Sequence, residues 1–191
     1  LWYRRAARQD DPAAQNNLGW MYQEGRGVEQ DDHKAFRWYR RAARVGDPSA
    51  QNNIGWLYQE GRGVPQDDAE ALRWYELSAE QDHAPAQNNI GWMYQEGRGM
   101  AKNDEEAMRW YRKAAEQGDP TAQNNLGWMY QEGLGTDPDD IEAIHWYRKA
   151  AEQGDASAQN SLGWMYQEGK GLDRDDTAAV RWYRLAADKG H

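Results

Sequence analysis

The residues best suited to chemistry are a carboxamide, an indole and a second carboxamide at Asn52, Trp56 and Gln59, spaced i, i+4 and i+7. The same triplet recurs as Asn16/Trp20/Gln23, Asn88/Trp92/Gln95, Asn124/Trp128/Gln131 and Asn160/Trp164/Gln167. On a helix turning about 100° per residue, the three side chains of a triplet fall on one narrow stripe. Asn can bridge the N–H and C=O groups of an extended peptide, and Trp offers a flat apolar face or a cation–π surface to a Lys or Arg stem. A Glu follows each triplet, at Glu24, Glu60, Glu96, Glu132 and Glu168. This chemistry is non-covalent recognition of a protein or peptide segment, extended and basic or neutral.

Catalytic chemistry has little to draw on. His33, His83, His145 and His191 occupy unrelated positions, and Ser49, Ser78, Ser157 and Ser161 lie in no nucleophile motif. We expect no enzyme, no catalytic residue, no metal and no cofactor. The acid pairs Asp31-Asp32, Asp67-Asp68, Asp139-Asp140 and Asp175-Asp176 resemble calcium ligands, but they stand at helix starts, where capping explains them. The Glu-Gly-Arg-Gly loop follows a helix, whereas a phosphate loop follows a strand. With 32 acidic and 23 basic residues the formal net charge is −9, which opposes binding to nucleic acid or an anionic bilayer. No apolar run approaches the roughly 20 residues that span a membrane, so no membrane insertion is expected. Cysteine is absent, which leaves no disulfide and no indication of compartment.

Two motifs in one register position the triplets. The glycines Gly19, Gly55, Gly91, Gly127 and Gly163 are 36 residues apart, and so are the Trp-Tyr pairs beginning at Trp2, Trp38, Trp74, Trp110, Trp146 and Trp182. A fixed period of this length predicts an all-α solenoid of helix-turn-helix repeats. We read one solenoid over 1–191: part of a helix B over 1–10, then repeats at 11–46, 47–82, 83–118, 119–154 and 155–190. Each repeat has a helix A, a glycine loop, a helix B and a short turn. In the second, Asp47 caps a helix A that starts at Pro48 and ends before Gly61. Asp67 and Glu70 form a capping box for helix B, repeated at Asn103/Glu106 and Asp139/Glu142. Ala50, Ile54, Leu57 and Tyr58 form the core face of helix A, Trp74 and Tyr75 that of helix B, and Gly55 permits close approach of the two. The basic residues Arg37, Arg40, Arg41, Arg44, Arg109, Arg112 and Lys113 fall on the opposite, solvated face. Asp82-His83-Ala84-Pro85 and Ala156 break the Gly-Asp-Pro pattern, predicting slightly less rigid joints there.

The combination Leu/Ile-Gly-x-x-Tyr, Gly-x-Gly and Trp-Tyr-x-x-Ala-Ala at a step of 36 resembles the Sel1-like repeat family, relatives of the tetratricopeptide repeats. The resemblance implies α/α units in a right-handed superhelix with the A helices on the concave side, and adaptor or scaffold roles in protein complexes. It would place the fifteen triplet residues along that concave groove, similar to the Asn/Trp ladder of armadillo repeats. Cysteine-rich members are linked to penicillin binding or weak β-lactam hydrolysis; this chain has neither their cysteines nor a Ser-x-x-Lys.

Three alternatives fit the same residues. Each Trp could pack sideways on the next helix A while Asn bonds its neighbour; Trp and carboxamides also suit sugar rings, giving a glycan-binding module. The third is a structural spacer that self-associates through exposed terminal repeats. The start at Leu1-Trp2-Tyr3, mid-motif, suggests a segment of a longer array.

Overall fold

The computed structural model describes residue 7 and residues 10–188. The expected partial helix over 1–10, with Trp2 and Tyr3, lies almost wholly outside the described residues, as do Lys189 and His191. Among the described residues there are ten helices and no strand. They fall into two compact units. Residues 1–101 hold α1 (Pro12–Glu24), α2 (Asp32–Arg44), α3 (Pro48–Glu60), α4 (Asp68–Ala79) and α5 (Ala84–Glu96). Residues 102–191 hold α6 (Asp104–Glu116), α7 (Pro120–Glu132), α8 (Asp140–Glu152), α9 (Ala156–Glu168) and α10 (Asp176–Ala187). Odd-numbered helices of the first unit and α7 and α9 of the second are A helices; the others are B helices. The architecture is an all-α solenoid of 36-residue helical pairs.

Helix boundaries follow from local chemistry. Asp47 Oδ1 accepts from Ala50 N at 2.7 Å, with Pro48 in the first turn, and α3 closes at Gly61 in the left-handed conformation. Asp11, Asp119 and Asp155 repeat this cap at the same distance. Asp67 Oδ1 takes the N–H groups of Ala69 and Glu70, both at 3.0 Å, to start α4. The expected reciprocal arm is absent, because the Asp67 N–H already donates to Tyr58 O at 3.0 Å. Glu70 turns instead to Arg73, and Glu106 to Arg109. The caps are therefore one-sided.

The core runs between helix B of one repeat and helix A of the next. Ala35, Tyr39 and Ala42 of α2 meet Ala50, Ile54 and Leu57 of α3, all with no exposed surface. In the second unit Ala143, Ile144, Tyr147, Ala150 and Ala151 of α8 meet Ala158, Leu162 and Met165 of α9. Inside a repeat, the tyrosine of helix B lies on the glycine of helix A: a Cβ on Gly55 would stand 2.7 Å from the Tyr75 ring. Only a residue without a side chain allows that approach. Trp74 departs from the expected core position. Tyr75 is fully buried, whereas Trp74 is half-buried at the edge of the α2/α3 cluster. The tyrosine opposite glycine is the constant core aromatic, while the tryptophan's burial varies from repeat to repeat: Trp146 of α8 is 8% exposed and counts with Tyr147 in the core.

The loop glycine joins neighbouring repeats. Gly63 has φ 68°, and a Cβ there would lie 2.5 Å from the carbonyl carbon of Asp32, in the preceding repeat's helix B. Loop backbone thus rests directly on the first turn of α2.

The irregular joint before α5 is visible in the backbone. Asp82 stands where the joints at Gly46, Gly118 and Gly154 carry glycine and adopts φ 57°, as Asp10 does at φ 61° before α1, and His83 makes no side-chain cap. An L-residue in the left-handed region costs about 1 kcal/mol, and a missing cap costs about 1 kcal/mol. Asp82→Gly and His83→Asp are each expected to raise unfolding stability by about 1 kcal/mol, checked by urea denaturation followed by circular dichroism.

Candidate functional site

Each A helix presents its triplet beside the loop that follows it, and the three members have different environments. Gln23, Gln59, Gln95 and Gln131 are buried or half-buried, and Gln167 is exposed. Gln59 is only 9% exposed, and its Oε1 accepts the phenol of Tyr75 at 3.0 Å. Burial raises the Tyr39, Tyr75 and Tyr147 phenols well above their ordinary range, so each remains an O–H donor at any working pH. Tyr39 bonds Gln23, Tyr147 bonds Gln131 and Tyr183 bonds Gln167 in the same way. The amide end of Gln59 donates to Glu60 at 2.9 Å, and Gln23, Gln95 and Gln131 do likewise to Glu24, Glu96 and Glu132. Through these bonds the exposed carboxylates are tied to the buried tyrosines.

The asparagines link successive A helices. Asn53 Nδ2 donates to Asn16 Oδ1 at 2.9 Å, and Asn89 Nδ2 donates to Asn52 Oδ1 at 2.9 Å. Within 1–101 the Asn part of the neighbour-bonding alternative is therefore present. It occupies one acceptor only: among the described residues Asn16 and Asn52 donate no side-chain hydrogen bond. In the second unit the ladder breaks. Ser161 stands where the earlier repeats carry the donating asparagine, and Asn124 Oδ1 is buried without a partner among the described residues. Asn88 is half-buried and Asn160 exposed.

The tryptophans differ between the units. In 1–101 each carries a guanidinium from its own loop: Arg26 over Trp20 at 5.2 Å, Arg62 over Trp56 at 5.0 Å, Arg98 over Trp92 at 5.5 Å. Trp56 and Trp92 are half-buried under this cover, and Trp20 is 43% exposed. In 102–191 the loops carry Leu134 and Lys170 instead. Among the described residues no cation stacks on Trp128 or Trp164, which are 38% and 37% exposed.

Two sets of residues escaped the sequence reading. The loop arginine does more than cover an indole. Arg62 Nε and Nη2 grip both oxygens of Asp32 at 2.9 Å, and Nη2 reaches Gln23 O at 3.3 Å. Arg98 holds Asp68 at 2.7 and 2.8 Å and reaches Gln59 O at 3.4 Å. One side chain thus ties three helices of two repeats by a charge-assisted fork. The second acid of the pair Asp67-Asp68 is its counter-ion, while the first is the cap. The signal was the pairing of loop arginine with that acid 30 residues earlier, twice in the same register.

The other set is Gln15, Gln51, Gln87, Gln123 and Gln159, all buried. Gln15, Gln123 and Gln159 donate to the carbonyls of Ala7, Ala115 and Ala151 at the end of the preceding helix B, at 3.2, 3.1 and 3.0 Å. Gln51 and Gln123 each accept from a glutamine at the end of their own helix B, Gln81 and Gln153, at 2.8 Å. A polar residue invariant at a buried position could have been found by its recurrence in all five repeats.

The remaining candidates have structural surroundings. Among the described residues no cluster of three or more His, Cys, Asp or Glu side chains is placed to hold a metal, and no helix is long and apolar enough to cross a membrane. Arg37, Arg40, Arg41, Arg44, Arg109 and Lys113 are exposed, and Arg112 is half-buried. Depressions along the B helices are lined by such residues around Trp38 and Trp110.

The Sel1 repeat family model matches residues 1–11, 12–47, 48–83, 84–119, 120–155 and 156–191. Among solved structures, the chain is 42% identical to c5321, a protective antigen present in uropathogenic Escherichia coli strains and displaying an SLR fold, with a TM-score of 0.85. That match covers 100% of this chain and 41% of c5321, so the chain spans well under half of that relative. A Sel1 repeat protein from Oxalobacter formigenes is 41% identical at a TM-score of 0.85, over 95% of this chain and 72% of its own. Immunity protein Pa5087 from Pseudomonas aeruginosa, 22% identical at a TM-score of 0.70 over 97% of this chain and 71% of its own, shares the fold. No curated protein matches the sequence.

The broken asparagine ladder offers a direct check. A buried acceptor left unpaired costs about 1–3 kcal/mol. Ser161→Asn would present a donor to Asn124, and the variant is expected to unfold at higher urea with stability raised by about 1 kcal/mol.

Proposed function

The chain belongs to the Sel1 repeat family, and on that premise we propose that its A-helix faces hold an extended peptide segment of a protein partner. Sel1 repeat proteins generally act as protein–protein interaction scaffolds and are generally non-enzymatic. The finer reading concerns how the grip is made. In 1–101 it uses Asn16, Trp20, Gln23, Asn52, Trp56, Gln59, Asn88, Trp92 and Gln95. In 102–191 it uses Asn124, Trp128, Gln131, Asn160, Trp164 and Gln167.

The observation that carries it is the exposure of Trp20, Trp128 and Trp164 on A helices whose Leu18, Leu126, Met129, Leu162 and Met165 are buried. An indole left in water on a repeating face is a surface awaiting a partner. Asn16 and Asn52 support the same reading through amide donors that the ladder leaves unused, suited to peptide carbonyls. The glutamines act from beneath, holding the glutamate row in place. Arg62 and Arg98 are spent on Asp32 and Asp68, so the exposed glutamates favour basic or neutral segments over acidic ones.

The test uses fluorescein-labelled extended peptides, one basic, one neutral and one acidic, titrated by anisotropy. The basic or neutral peptide is expected to bind more tightly than the acidic one. Trp20→Ala, Trp128→Ala and Trp164→Ala combined remove the most exposed of these rings, and are expected to weaken binding at least tenfold, about 1.4 kcal/mol. Undiminished affinity in a triple variant with unchanged helicity would sink the reading.

A further inference from the structure

We infer that repeat 4 carries a receptor for a single arginine side chain, formed by Asp104 and Trp128. The inference deepens the peptide reading and rests on it, because the arginine would belong to the bound segment.

The chain itself supplies the pattern of such a site twice. In two repeats an arginine lies with its guanidinium over the indole of helix A and its two nitrogens on the aspartate that opens the preceding helix B: Arg62 on Trp56 and Asp32, Arg98 on Trp92 and Asp68. In the register of Arg62, repeat 4 carries Leu134, with Trp128 and Asp104 in the places of Trp56 and Asp32. The backbone that frames the site is unchanged. A Cβ on Gly63 would stand 2.6 Å from the carbonyl oxygen of Asp32, and one on Gly135 would stand 2.6 Å from that of Asp104. The carboxylate is equally sunk: the side chains of Asp32, Asp68 and Asp104 are 23%, 25% and 25% exposed.

What differs is what answers that carboxylate. Asp104 Oδ1 is buried and accepts no hydrogen bond among the described residues. Its nearest cation is Lys102, a largely exposed ammonium at 3.5 Å, where Asp32 and Asp68 hold a two-point fork at 2.7 to 2.9 Å. A buried carboxylate oxygen without a donor is costly, and a planar guanidinium offers the paired donors that an ammonium cannot. Leu134 brings no cation to Trp128, which is 38% exposed, so the incoming group would have both a counter-ion and a stacking surface. Repeat 5 has Lys170 at this position and is not equivalent.

The probe is L-argininamide, added to the full chain, with L-citrullinamide and L-lysinamide as controls. The readout is the Trp128 indole Nε1–H resonance, assigned with Trp128→Phe. Argininamide is expected to shift this resonance saturably, and at least tenfold more tightly than the neutral isostere citrullinamide or the lysine analogue. Leu134→Arg, which copies the residues of repeats 2 and 3 and so keeps a fold the chain already uses, is expected to abolish the response by occupying the site from within. Asp104→Asn is expected to weaken it at least tenfold. No response at Trp128, an equal response to citrullinamide, or a response that survives Leu134→Arg overturns the site. A labelled peptide that binds while argininamide does not overturns the arginine receptor and leaves the peptide reading standing. A Trp128 response with no peptide bound supports the receptor and removes the reading on which its biological use rests.

Discussion

A tyrosine ring packed against a glycine sets the geometry of every described repeat in which both partners fall within one unit. The contact between Tyr75 and Gly55 brings helices A and B closer than any side chain at position 55 would allow, and it puts the tyrosine of the pair fully inside. Burying a phenol demands a partner for its hydroxyl. Gln59 supplies it, and its remaining amide then fixes Glu60 on the surface. An apolar packing decision at the axis of the repeat thus reaches the solvent as an ordered carboxylate.

Neighbouring repeats are joined differently from the two helices of one repeat. Small apolar residues supply the area, as where Ala35, Ala42 and Ala50 meet without exposed surface. Alanines alone slide easily over one another, and directional bonds fix the register. Gln123 on Ala115 O, Asn53 on Asn16 and Arg62 on Asp32 each cross from one repeat to the next. Buried carboxamides are costly unless satisfied, so the wrong register would strand several at once. Each repeat completes the bonding of its predecessor, which is the energetic content of a one-dimensional array.

The helix ends, the core face and the Gly55 contact were legible because each follows from local rules: a cap, a left-handed glycine, a period of 3.6. The fate of Gln59 was not. A helical projection sorts residues by angle and says nothing of how deep a flexible side chain reaches, so a long carboxamide at the edge of the outer stripe was grouped with Trp56 although its oxygen turns under the helix. Arg62 was missed for a related reason, since its partners lie 30 and 39 residues earlier and no local pattern points to them. The second acid of Asp67-Asp68 shows the same limit: capping explains one carboxylate, and the other acquires its purpose from a loop in the following repeat.

The asparagine ladder has a sense as well as a spacing. In both steps described within 1–101, the later repeat donates and the earlier accepts. The two bonds therefore point the same way rather than alternating, and a row of bonds with one sense differs when approached from its two ends. An extended polypeptide is itself polar, with N–H and C=O groups in fixed order along it. Laid along such a row, it presents different pairings in its two orientations, so a segment held there as proposed would be told from its reversal before any side chain is compared.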